Sequence, residues 1–304
     1  MTIIAEQLTK RYGSKYAIQD VSFEIRPGTV TGFLGPNGAG KSTTMRALVG
    51  LDRPTSGRGL IDGRLYSELN APLRHVGTLL DAKSAHRSRT AYQHLRWVCA
   101  THRLPKSRID EVISITGLSS VASKKVGGFS LGMSQRLGLA VALLGDPYTL
   151  ILDEPVNGLD PDGVIWIRNL LKTLGQEGRT ILLSSHLLGE LSLIADHVVI
   201  IGKGRIIADE PFAALIDHPD RVRVRTSHAS KLMEVLAGKS VTRTLTDSDT
   251  VEIVGLTAEE IAERAAKNGI VLTEIGVIPT SLEEVYRQLT RDQVEYDATV
   301  QENS

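Results

Sequence analysis

The segment GFLGPNGAGKSTT, residues 32–44, sets four glycines around one lysine and follows them with three hydroxyl side chains. Glycine leaves the backbone bare and permits left-handed torsions, so such a turn aims several amide N–H groups at one anion. Gly35, Gly40, Lys41 and Ser42 fit G-x-x-x-x-G-K-[ST], the pattern in which lysine reaches the β- and γ-phosphates of a nucleotide and the hydroxyl holds magnesium. The setting agrees. TVTGFLG (29–35) reads as a short buried strand, and STTMRALVG (42–50) reads as a helix whose N-terminus faces the phosphates. The stretch Gly35, Pro36, Asn37, Gly38, Ala39, Gly40, Lys41, Ser42 and Thr43 is therefore the expected nucleotide cradle.

A chain of 304 residues is long for one domain and comfortable for two. Its 35 basic and 35 acidic residues cancel, which argues against a broad nucleic-acid-binding surface. Cys99 is the single cysteine, so no intrachain disulfide forms and a reducing compartment is expected. No apolar run reaches the ~18 residues a membrane span requires, and MTIIAEQLTK lacks the design of a signal peptide. A soluble chain is expected, with its location set by its partners.

Residues 1–217 alternate short β-rich runs with helical ones, which predicts an α/β domain around a largely parallel sheet. Strand signals vanish from about 82 to 145, where TAYQHLRWVCATHRL and SRIDEVISITGL read as helices of an inserted lobe. Residues 218–304 form a separate expected module. RVRVRTS, ASKLMEVLAG, SVTRTL, TVEIV, TAEEIAERAAKNG and IVLTEIG give the order β-α-β-β-α-β, the ferredoxin-like plan, with TDSD as the hairpin turn. Thr257 and Glu260 have capping-box spacing, as do Ser281 and Glu284 at the start of a last helix. That helix carries Leu282, Val285, Tyr286 and Leu289 as one apolar stripe, and a regulatory or dimer-bracing role is expected of the module.

YTLILDEP (148–155) is an apolar strand ending in two carboxylates, at the edge where open α/β sheets keep their ligands. Beside a phosphate loop, Asp153 is the candidate magnesium ligand, and Glu154 the candidate group that orients or deprotonates the attacking water. TILLSSH (180–186) ends a second apolar strand on His186. A lone histidine is more often structural, but the shared strand-end setting raises it to a catalytic candidate.

RYG near the start, GPNGAGKST, FSLGMSQRLGLA, LILDEPVNGLD and LLSSH, in this order over residues 1 to about 215, resemble the ATP-binding cassette ATPases of ABC transporters. The resemblance implies ATP and magnesium as cofactors, Tyr12 stacking on adenine, His186 contacting the γ-phosphate, and Asp160 in a loop at a dimer interface. FSLGMSQR resembles the signature written L-S-G-G-Q; Ser130 and Gly132 match it, while Leu131 and Met133 depart. It implies that Ser130 and Gly132 bind the γ-phosphate held by the opposite subunit, so that two ATP molecules are sandwiched in a head-to-tail dimer.

HVGTLLDAKSAH carries Asp81 where transporter cassettes usually place a magnesium-sensing glutamine. Asp81 is the third candidate metal ligand with Ser42 and Asp153, and its surroundings resemble those in bacterial exporters of drugs, bacitracin-type antibiotics and lantibiotics. The expected partners are a separate integral-membrane permease and a second ATP-binding subunit, at the cytoplasmic face of the cell membrane. The rival reading is a soluble ABC-type ATPase of translation or DNA repair. Those carry two cassettes or a long coiled coil, and neither is present in this sequence. A phosphate-loop kinase has no use for FSLGMSQR.

Overall fold

The structure, a computed structural model, describes residues 1–186, 188–216, 221–238 and 241–278. They divide into two compact units that part after Phe212.

The first unit opens with β1 (Ile3–Tyr12), β2 (Lys15–Ile25) and β3 (Val30–Leu34), followed by α1 (Lys41–Leu48), β4 (Ser56–Ile61) and β5 (Val76–Leu79). Three helices come next, α2 (Ala91–His102), α3 (Ser107–Ile115) and α4 (Leu131–Leu143), with no strand among them. They are the inserted lobe that the sequence predicts. The chain then runs through β6 (Thr149–Leu152), α5 (Pro161–Gln176), β7 (Thr180–Ser185), the short α6 (Leu188–Leu191), β8 (His197–Gly202) and β9 (Arg205–Pro211), and α7 (Phe212–Ile216) begins where the two units part.

These strands build two sheets. The larger has the order β5-β6-β7-β3-β8-β9, parallel throughout except for the antiparallel edge strand β9. Every residue of β3, β6 and β7 is buried, as expected of strands covered on both faces. The second sheet is antiparallel, β2-β1-β4, and was not predicted as a separate layer. Ile3, Leu8, Ile18 and Val21 of this sheet share one core with Met45 and Leu48 of α1 and with Phe33, Ile151, Leu182 and Val199 of the larger one. Because the central strands are parallel, their carboxyl ends emerge together on one edge.

Helix starts follow their sequence signals. Thr90 and Gln93 cap α2 reciprocally, Ser130 accepts from Met133 N to cap α4, and Asp160 accepts from Gly163 N ahead of Pro161 at the start of α5.

The second unit contains β10 (Arg221–Arg225), α8 (Ala229–Val235), β11 (Thr242–Asp247), β12 (Thr250–Val254), α9 (Ala258–Lys267) and β13 (Glu274–Ile278). Its antiparallel sheet has the order β11-β12-β10-β13, which is the ferredoxin-like arrangement. Val222, Val224, Val251 and Ile253 form the inner face and pack with Ala229, Leu232, Ile261 and Ala265 of the two helices. The Thr257–Glu260 capping box is present in both directions. Two details differ from the sequence reading. β13 begins at Glu274 rather than Ile270, because Ile270 N bonds back to Ala265 O at 2.9 Å and its side chain is buried as the exit of α9. The hairpin turn is tighter than TDSD, since β11 continues through Asp247. The last predicted helix, with Ser281, Leu282, Glu284, Val285, Tyr286 and Leu289, lies outside the described residues.

Candidate active site

The phosphate loop leaves β3 and enters α1. Gly38 and Gly40 take left-handed torsions, φ 82 and 112, and a Cβ on Gly40 would lie 2.8 Å from Ala17 O and 2.6 Å from Ile18 Cγ2. Only glycine fits there on both counts. The loop lines a hollow of about 200 Å³ with Asn37, Gly38, Gly40, Lys41, Ser42, Thr43, Glu154 and Ala17. Lys41 is 6 % exposed, and its Nζ donates to Gly35 O at 2.6 Å and Pro36 O at 3.3 Å. Burial pulls its pKa below the usual lysine value, while the carboxylates of Glu154 and Asp153 push the other way.

Two strands away, β6 delivers Asp153 and Glu154; β7 lies between β6 and β3 and ends beside His186. Ser184 of β7 bridges the carboxylate pair. Its hydroxyl donates to Asp153 Oδ1 and accepts from Glu154 N at 2.8 Å. Glu154 is held at φ 47, a left-handed torsion uncommon for a non-glycine residue and one that clusters at functional sites. Its carboxylate lies 3.7 Å from Lys41 Nζ through Oε1 and 2.9 Å from His186 Nδ1 through Oε2. A carboxylate accepts, so this contact puts a proton on Nδ1. Burial raises the pKa of Glu190, with His186 acting against it, and its Oε2 lies 3.5 Å from Ser185 Oγ.

The remaining predicted residues fall into separate places. Ser130 and Gly132 open α4, where a Cβ on Gly132 would approach Gly158 O to 2.9 Å, so they group with the loop that leads to Asp160. The Asp160 carboxylate is engaged as the cap of α5. Tyr12 ends β1, 51 % exposed, with its hydroxyl donating to Asp52 Oδ2 at 3.0 Å and Lys10 Nζ 4.9 Å from its ring centre. Burial and Asp52 together raise its pKa. Asp81 is exposed two residues beyond β5, and its Oδ1 accepts from Lys83 N at 2.8 Å. Asp153 N donates to Leu79 O at 2.7 Å, so Asp81 and Asp153 leave neighbouring strands on the same edge.

Sequence reasoning missed Ser184, Ala17 and Gln135. A hydroxyl in the apolar run TILLSS was a legible signal for Ser184; an alanine in an alternating strand carried none. Gln135 of α4 donates from Nε2 to Glu154 O at 3.1 Å.

The donor set suits a nucleotide with a hard divalent ion. A buried ammonium faced only by carbonyls and carboxylates, beside a glycine cradle, is organised for a polyanion. Ser42 and Asp153 offer hard oxygen donors beside the phosphate loop. That fits magnesium, which takes one or two carboxylates and completes its shell with water and phosphate.

A strand, bare loop and helix, faced by carboxylates at the end of the next strand but one, define a phosphate-loop nucleotide hydrolase. Residues 18–157 match the family described as ABC transporter, and residues 220–283 match a domain of unknown function. The chain is 38 % identical over 296 residues to the uncharacterized ABC transporter ATP-binding protein YhcH of Bacillus subtilis, covering 94 % of each chain. It is 43 % identical over 210 residues to the bacitracin transport ATP-binding protein BcrA of Bacillus licheniformis, covering 67 % of this chain and 68 % of that one. A dimeric structure of a bacterial ABC transporter cassette superposes with TM-score 0.64 at 25 % identity, over 69 % of this chain and 98 % of that chain. The protein belongs to the ATP-binding proteins of ABC transporters. It is an ATPase subunit.

Proposed function

We propose that two copies of this chain, docked on a separate integral-membrane permease at the cytoplasmic face of the membrane, close on two ATP molecules and hydrolyse them to drive export. The observation that carries the reading is the Glu154 carboxylate, held between Lys41 and His186 at the mouth of the phosphate loop. The relative's name, bacitracin transport ATP-binding protein, supports transport of a compound of that kind. The dimeric cassette that shares the fold supports the paired arrangement. No helix among the described residues is long and apolar enough to cross a membrane; in this reading the membrane path belongs to the permease.

In this reading the amides of residues 35–43 and Lys41 bind the phosphates, and Tyr12 offers its exposed ring to adenine. Ser42 and Asp153, with Asp81 as the third candidate, would hold magnesium, which would supply charge neutralisation at the β- and γ-phosphates. Glu154 accepts the proton of the attacking water. His186, hydrogen-bonded to Glu154 through Nδ1, is the residue that contacts the γ-phosphate. Ser130 and Gly132, at the start of α4, reach the nucleotide of the opposite copy, with Asp160 at the same interface. Residues 218–304 brace or regulate the dimer.

Glu154→Gln keeps the shape and leaves one acceptor oxygen for Lys41 or His186, but removes the base. It should bind ATP normally, lose hydrolysis by ~100-fold or more, and elute as an ATP-dependent dimer on size-exclusion chromatography. Hydrolysis at the wild-type rate would remove Glu154 from the base role.

A further inference from the structure

We propose that Gln135 is the positioning residue for Glu154, and that through it the start of α4 governs whether its own subunit's carboxylate is set for hydrolysis. This rests on the reading of Glu154 as the base.

Glu154 is pinned through its backbone from two sides. Ser184 Oγ of β7 accepts from its N–H, and Gln135 Nε2 of α4 donates to its C=O. A left-handed torsion on a residue with a Cβ is unfavourable on its own, so it persists where neighbours over-determine it. These bonds supply that constraint together with Asn157 N, which donates to the same carbonyl at 3.1 Å within the local turn; the Ser184 bond comes from the sheet, and the Gln135 bond is the one that comes from the helical lobe. The amide orientation follows from chemistry, because turning Oε1 toward Glu154 O would oppose two acceptors.

Two further observations point the same way. Gln135 is 6 % exposed, and its Oε1 has no hydrogen-bond partner in the structure. A long polar side chain buried with half its capacity unused is not explained by packing. The bond to Glu154 is what its placement accomplishes. Next to it, Arg136 Nη1 donates to Thr116 O at 3.0 Å, and its guanidinium lies 4.2 Å from the centre of the Trp166 ring, so this part of α4 touches the exit of α3 and the helix α5. Ser130 and Gly132 stand less than two turns toward the helix start. A small displacement of that start is carried by a stiff helix to Gln135, and from there to the carbonyl of Glu154. Occupancy at Ser130 and Gly132 therefore sets the carboxylate of the same subunit, a route distinct from any contact with the nucleotide that this carboxylate attacks.

Gln135→Met keeps length and volume and removes the bond, whereas Gln135→Glu places an acceptor against the Glu154 carbonyl. Each is made in the wild-type and Glu154→Gln backgrounds, with ATP affinity measured by titration calorimetry and hydrolysis measured under single-turnover conditions. We expect Gln135→Met to lower the hydrolysis rate ~10- to 100-fold, the scale of a misplaced catalytic group, with ATP affinity unchanged within about two-fold. In the Glu154→Gln background it should lower the residual rate no further, because the group it positions is gone. Gln135→Glu should lose at least as much rate as Met, and its rate decides the matter if Met does not fold. A wild-type rate in the folded variants, with Glu154→Gln inactive, overturns this inference alone. So does an equal loss in both backgrounds, or a loss of affinity that matches the loss of rate. A wild-type rate in Glu154→Gln overturns the base assignment and this inference with it.

Discussion

Lys41 is a cation withdrawn from water and held by two carbonyl oxygens of its own loop. Its burial works against the charge, and the carboxylates of Glu154 and Asp153 restore it in part. A phosphate would take over that work, since charge-assisted hydrogen bonds are about twice as strong as neutral ones. Lys41→Ala should therefore weaken ATP binding ~10-fold or more, the equivalent of a lost bond to a charged group at ~1.5–3 kcal/mol. Titration calorimetry reads it directly, and undiminished affinity would count against the loop assignment. At this scale the sequence announced residues whose chemistry is intrinsic, such as a lysine among glycines or carboxylates ending an apolar run. It was silent on Gln135, whose significance arises only when α4 folds back onto the end of β6. No spacing along the chain encodes a contact between residues 135 and 154 in a lobe whose packing is unknown.

The elements were more legible than their pairing. β3, β6 and β7 read as strands because every position is buried and apolar runs say so. The sheet β2-β1-β4 escaped notice because β4, SGRGLI, carries two glycines and alternation does not name a partner strand. β13 was placed too early because Ile270 is apolar for the sake of closing α9. In the helical lobe, α2 carries His94 on its buried face, with Nδ1 lacking a hydrogen-bond partner in the structure, its ring 6.1 Å from that of Trp97, and the Arg89 guanidinium over Trp97. Burial, then the nearby Arg89 charge, lowers its pKa from 6.5. The folded state therefore binds fewer protons than the unfolded one as pH falls through that value. Stability is full above about 6.5 and declines below it. His94→Leu should remove this part of the acid sensitivity. Melting temperatures of wild type and variant, compared at pH 8 and pH 5.5, should diverge in their pH slopes, at ~2–4 °C per kcal/mol for a domain of this size. Parallel slopes would show that His94 does not titrate on unfolding.

At the level of the whole molecule, the nucleotide site and the ferredoxin-like unit belong to separate compact bodies, and every motif of the phosphate site falls in the first. The second is a folded module in its own right, with an inner face of valine and isoleucine under two helices. A chain ending at residue 217 should keep wild-type ATP affinity while its ATP-driven dimerisation weakens, seen by size-exclusion chromatography or by the dependence of ATPase rate on protein concentration. Unchanged dimerisation together with unchanged transport would rule out bracing. The sequence places the change of element order at about residue 217, a few residues beyond the parting after Phe212.

The place of β7 between β3 and β6 acts as a gauge. Neighbouring strands stand ~4.8 Å apart, so the phosphate loop and the carboxylate pair are rails laid about two such spacings from each other, and backbone hydrogen bonds fix the width. Side-chain substitution can change what stands on a rail but cannot move it. Divergence among proteins built on this sheet therefore has to be written beyond the rails, in segments such as the loop that carries Asp81 and the first turn of α4 with Leu131 and Met133.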